Sequence, residues 1–135
     1  MTFKKATNPV NVERIIAGAC YLSGGLIGIV YIVLSKSKGQ SMFFRFHFIQ
    51  AMMIGVIFFL LNLTSSATAQ ILGGILGLFN NPIMAQQIIS VLSNVVQLVM
   101  GGDLLLCVYG LIWALMGKYA EIPVISPLVR QNLGR

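Results

Sequence analysis

FHFIQAMMIGVIFFLLNLTSSATAQILGGILGLFNNPIMAQQIISVLSNVVQLVMGG, residues 46–102, contains no Asp, Glu, Lys or Arg. A second uncharged run covers Leu104–Gly117, and Asp103 alone separates the two. A soluble domain carries charge on its water-facing surface, usually on about 25% of its residues. Here 9% are charged and 57% are hydrophobic. About 20 apolar residues cross a bilayer as helix, so this stretch can cross twice. The chain reads as an all-α, polytopic helical membrane protein. Its 135 residues form one domain and leave little for a soluble part.

The net charge of +6 does not indicate nucleic acid, because the basic residues flank the apolar segments. Lys4, Lys5 and Arg14 precede the first segment, Lys36, Lys38 and Arg45 follow it, and Lys118, Arg130 and Arg135 follow the last. Such flanks mark the cytoplasmic ends of membrane helices and meet anionic lipid headgroups. Membrane lipid is therefore an expected partner and nucleic acid is not. Cys20 and Cys107 lie far apart within apolar segments and read as packed thiols. Ala17-Gly18-Ala19-Cys20 resembles a lipoprotein cleavage box, but the apolar region of a signal peptide is missing before it, so no cleavage is expected.

Residues 1–13 form a polar tail, and 14–34 the first membrane segment. Ser23-Gly24-Gly25 interrupts that segment; Gly24 and Gly28 are either a small-residue packing pair or the mark of a bend. A polar loop leads to a second segment, 43–64, whose start interleaves aromatics with Arg45 and His47, as at a membrane interface. Residues 67–79, with a second packing pair in Gly73 and Gly77, read as an interfacial or short segment or as an extension of the helix before it. Asn80-Asn81-Pro82 signals a turn and a helix start. Residues 84–116 read as one long helix of about 50 Å, with Gln86, Ser90, Ser93 and Gln97 on one face. That stripe suits hydrogen bonds between helices or a conduit. Residues 117–135 form a polar tail. The expectation is three or four membrane segments, with a helical hairpin at about 43–117.

No basic residue lies between Arg45 and Lys118, which places the turn near Asn80 on the trans side and the C-terminus on the cytoplasmic or stromal side. The first segment is basic at both ends. If it spans, Lys4 and Lys5 lie trans; if it turns back at Ser23-Gly24-Gly25, all the basic residues share one side. A span is the expected form, because non-helical backbone in lipid must be shielded by protein.

Two motifs flank the hairpin: Arg45-Phe46-His47-Phe48-Ile49-Gln50-Ala51 and Gly117-Lys118-Tyr119-Ala120-Glu121-Ile122-Pro123, followed by Ile125-Ser126. Together they resemble the Tic-twenty family, the twenty-kilodalton membrane subunit of the translocon at the inner chloroplast envelope, with cyanobacterial relatives. The resemblance covers roughly residues 45–126. It implies a helical protein of plastid, thylakoid or cyanobacterial membranes, typically with four crossings, a part in protein transport, and no catalytic residues. The chain departs from the family in its shortened front half, in His47 where Asn is common, in Met116 where Arg is usual, and in Asp103 where a small or apolar residue is expected.

The interaction residues that follow are Arg45, His47, Gln50, Asp103, Tyr119, Glu121 and Pro123. Arg45 and His47 anchor at headgroup level or hold a loop. Tyr119 to Pro123 form a docking segment or a strap that folds back, with Glu121 pairing Arg45 or Lys118. Asp103 lies about 22 Å along the helix from Lys118; it lines a polar path or pairs with another subunit, or it sits near the trans interface. One His, three acids and two separated Cys assemble no catalytic, cofactor or metal site. The implied role is protein translocation, with a transiting polypeptide as partner. The alternative is a structural subunit or assembly factor of a photosynthetic or respiratory complex, with other subunits or further copies of the chain as partners.

Overall fold

A computed structural model describes residues 11–35, 41–78 and 82–133. The expected tail up to residue 10, most of the loop after the first segment and the Asn80-Asn81 turn lie outside them. The described residues form five helices and no strand: α1 (Asn11–Leu22), α2 (Leu26–Leu34), α3 (Met42–Gly77), α4 (Pro82–Leu115) and α5 (Ile125–Leu133). The chain divides into two compact units, Met1–Val56 with Leu105–Arg135, and Ile57–Leu104.

Helices α3 and α4, 36 and 34 residues long, are long and apolar enough to cross a membrane. Of the two readings of residues 67–79, the extension of the helix before them is the one formed, since α3 runs on to Gly77. The polar stretch Asn62–Thr68 does not break α3. Asn62 Nδ2 donates to the Phe58 carbonyl at 2.9 Å, and the Thr68 hydroxyl donates to the Thr64 carbonyl at 2.8 Å. Side chains that bond their own preceding turn leave the helix ladder intact. Helix α4 opens on Pro82, whose missing N–H is harmless at a first helical position.

The single first segment expected at 14–34 is instead two helices. Gly24 and Gly25 both adopt positive φ, 58° and 93°, which glycine reaches without Cβ strain. The Gly25 N–H bonds back to the Cys20 carbonyl at 2.8 Å, closing α1 with a left-handed cap. The Ser23 hydroxyl accepts from the Ile27 N–H at 3.2 Å, opening α2.

The direction of the chain reverses at this turn. A Cβ on Gly28 would lie 2.8 Å from Cys20 Sγ, whereas eight residues of unbroken helix separate positions by about 12 Å. Gly24 packs on Gly55, Gly25 on Met52, Gly28 on Phe48 and Tyr31 on Phe44, so α2 returns along α3 toward its start. At the mouth of this α1–α2 hairpin, Ser41 Oγ donates to Glu13 Oε2 at 2.7 Å and accepts from the Phe44 N–H at 3.2 Å. Ser41 thus caps α3 and ties that end to the start of α1.

The expected polar tail, residues 117–135, contains a helix, α5. Gly117, at φ 71°, ends α4 in a left-handed cap: its N–H reaches the Ala114 carbonyl at 2.9 Å and the Lys118 N–H reaches the Trp113 carbonyl at 3.0 Å. The chain leaving this cap forms an irregular strap, residues 118–122, before α5.

In the unit of residues 57–104, Gly73 is in van der Waals range of Ile89, and a Cβ at Gly77 would meet nothing within 4 Å among the described residues. Gly28 of the first pair packs most closely, a Cβ there lying 2.2 Å from the Phe48 ring, and glycines outside both pairs are also tight. A Cβ on Gly110 would lie 2.3 Å from the Tyr21 ring, and one on Gly18 would lie 2.9 Å from Leu111.

Candidate functional site: a buried polar clasp

In the unit of Met1–Val56 and Leu105–Arg135, α3 offers His47 and Gln50 one helical turn apart on the same face. Both are fully buried, so each polar atom needs a partner. Gln50 Nε2 donates to the Ala120 carbonyl at 3.1 Å and to Ser126 Oγ at 3.3 Å. The Ala120 carbonyl only accepts, which orients the amide and turns Oε1 toward Tyr21. The Tyr21 hydroxyl donates to that oxygen at 2.8 Å and lies 2.8 Å from His47 Nδ1.

His47 Nε2 faces the Lys118 carbonyl at 3.0 Å. A carbonyl cannot donate, so this nitrogen carries the hydrogen. The single Tyr21 proton therefore serves two neighbours, Gln50 Oε1 and His47 Nδ1. Ser126 completes the arrangement: its hydroxyl donates to the Ala120 carbonyl at 3.1 Å and accepts from the Ile122 N–H at 2.7 Å. His47 and Gln50 of α3 and Ser126 of α5 thereby satisfy the backbone of the strap, while Tyr21 of α1 braces His47 and Gln50.

Aromatic rings seal the clasp. Phe43 and Phe46 lie 4.6 and 5.5 Å from the His47 ring, and Tyr119 stacks parallel to it at 6.2 Å. Burial raises the Tyr119 phenol above its ordinary range, with Arg130 pulling the other way, so it stays protonated at neutral pH. Arg14 lies against the α4 terminus, where a Cβ on Gly117 would come within 2.8 Å of its guanidinium carbon. A cation there complements the negative end of the helix dipole.

The sequence-derived residues divide. His47, Gln50 and the strap backbone at 118–122 meet in the clasp, with Pro123 ending the strap. Arg45 is exposed. Glu121 pairs with Arg130 on the surface, not with Arg45 or Lys118, because α5 folds Arg130 back to it. Lys118 instead sets its ammonium 5.4 Å from the Trp113 ring. Asp103 belongs to the other unit, where it is only 8% exposed. Tyr21 was not among the residues singled out from sequence, and Ser126 entered only as part of a motif. Tyr21 carries no local signal, since it gains its role from residues distant in the chain, whereas Ser126 joins local bonds to Ala120 and Ile122 with one to the distant Gln50.

A paired substitution separates clasp from surface. Ser126→Ala strands the Ile122 N–H and one Gln50 donor and should cost about 1–3 kcal/mol. Glu121→Gln removes an exposed ion pair and should cost under about 1 kcal/mol. Thermal unfolding of the purified protein in detergent measures both.

Comparisons with models of known families, with curated proteins and with solved structures yield no match to this chain.

Proposed function

We propose that the chain is a membrane-embedded component of a protein-translocation assembly, of the kind its resemblance to the Tic-twenty family implies. The observation that carries this reading is the clasp. The two motifs on which the resemblance rests lie about 70 residues apart, yet Gln50 of the first holds Ala120 of the second. Motifs that build one buried network share one structural reason to occur together. In this reading α3 and α4 cross the membrane, the turn between them lies on the trans side, and the C-terminal strap lies on the cytoplasmic or stromal side with Arg45 and Lys118. The membrane is a thylakoid, plastid or cyanobacterial one.

A second reading, a subunit or assembly factor of a larger photosynthetic or respiratory complex, draws on residues 82–104. Gln86, Ser90, Ser93, Asn94 and Gln97 are all exposed on a mainly apolar helix. Polar groups on such a surface are stabilised by hydrogen bonds to other helices or by water.

Photo-crosslinking at position 90 or 97, followed by purification from native membranes, separates the two. Under the translocation reading, the crosslinks include precursor polypeptides and increase when a precursor is arrested in transit. Crosslinks confined to resident subunits, unchanged by an arrested precursor, would replace it with the second reading.

A further inference from the structure

We infer that the α1–α2 hairpin is a re-entrant element whose outward face is solvated by the acyl chains of a single leaflet, the one on the side of the C-terminal strap. The inference rests on the membrane placement of α3 and α4 proposed above, and it changes the expected single span of residues 14–34.

Length comes first. At 12 and 9 residues, α1 and α2 are about 18 and 14 Å long, against a hydrocarbon core of about 30 Å. Neither crosses alone, and the reversal at Ser23–Gly25 prevents them from crossing as one. The hairpin tip meets Gly55, 13 residues into α3 from Met42, or about 20 Å from its start. The mouth, where Glu13 meets Ser41, lies level with that start. The hairpin therefore enters and leaves on the side where α3 begins.

Surface chemistry identifies the occupant. Helix α2 reads LIGIVYIVL, and Leu26, Ile29, Val30, Val33 and Leu34 are exposed, whereas its buried Gly28 faces Phe48. A helix apolar on every side belongs in hydrocarbon. The charges agree: Lys4, Lys5, Lys36 and Lys38 flank the two ends, and the hairpin places all nine basic residues on one side, as the positive-inside bias favours. Anionic headgroups complement those flanks.

The objection to bent backbone in lipid is met locally. At the turn the Ser23, Gly25 and Leu26 N–H groups bond to the Ala19, Cys20 and Ser23 carbonyls, and Gly25 is buried against Met52. Irregular backbone at membrane depth is tolerated where protein covers it.

Two measurements on the full chain test this. With Cys20 and Cys107 replaced by Ala, single cysteines at Asn8, Ser37, Asn81 and Gln131 are labelled with a membrane-impermeant maleimide in vesicles of both orientations. Asn8, Ser37 and Gln131 should label from one face and Asn81 from the other. Asn8 and Ser37 labelling from opposite faces would overturn the re-entrant hairpin while leaving α3 and α4 in place. Asn81 labelling from the same face as Gln131 would instead overturn the crossing on which the hairpin's placement rests. In the second measurement, a Trp113→Phe, Val30→Trp variant is reconstituted in phosphatidylcholine–phosphatidylglycerol vesicles. Brominated acyl chains should quench its fluorescence at least twofold, with little effect from aqueous acrylamide. Quenching by acrylamide alone, or by neither agent, overturns the lipid contact.

Discussion

Gln50→Leu is expected to release the C-terminal strap while leaving the two long helices formed. Leucine fits the volume but makes none of the three hydrogen bonds. The Ala120 carbonyl keeps Ser126 and the Tyr21 hydroxyl keeps His47, yet each loses one partner. Each of the three lost hydrogen bonds is worth about 0.5–1.5 kcal/mol net, and members of one network weaken together. A loss of about 2–4 kcal/mol is therefore expected, against about 0.5 kcal/mol for the same change at the exposed Gln70. Helical content should barely change. Trypsin cleavage at Lys118, whose carbonyl is held by His47, should accelerate at least tenfold. Wild-type protection of Lys118 in Gln50→Leu would show that the strap is held by apolar packing alone.

The expectations from sequence succeeded where the relevant physics is local. A long run without charge has few alternatives to membrane-length helix, and α3 and α4 follow from it. The Asn62–Thr68 stretch does not end the helix, because Asn62 and Thr68 satisfy themselves on the preceding turn. The tail hid α5 because that helix is held in part by Ser126 bonding to a strap that is itself irregular. Ser23-Gly24-Gly25 admitted two outcomes, and the choice depends on a residue far along the chain, Gly55, which offers bare backbone for the turn to rest on.

The site was legible in the same uneven way. Gln50 and the strap stood out as parts of the two motifs that carry the family resemblance, Arg45–Ala51 and Gly117–Pro123. Tyr21 did not, since a tyrosine near the middle of an apolar segment reads as an aromatic filler until its hydroxyl is found between His47 and Gln50. Its position depends on Gly110, where any side chain would occupy the space of its ring. Such dependence on shape between distant positions leaves no periodic trace in a sequence.

Gly55→Leu should unseat the hairpin, whereas Gly74→Leu on the same helix should not. In both, leucine replaces glycine within a helix and gains about 1 kcal/mol in propensity. At Gly74 the new Cβ meets nothing within 4 Å among the described residues, so that gain stands and the variant is as stable as wild type or slightly more so. At Gly55 the Cβ would lie 2.9 Å from the Gly24 Cα and 3.0 Å from its carbonyl oxygen. Both are backbone atoms, and Gly24 is fixed at positive φ by the turn that closes α1. No rotamer relieves a collision at Cβ, so the hairpin tip must lift from α3. Overpacking of this kind costs up to about 3 kcal/mol or more, which outweighs the propensity gain. Lifting the tip also uncovers Cys20, which is fully buried. Maleimide labelling of Cys20 in detergent should therefore rise at least tenfold in Gly55→Leu and stay at the wild-type rate in Gly74→Leu. Equal labelling in the two variants would mean that the turn does not rest on Gly55, and that the re-entrant hairpin owes its position to other contacts.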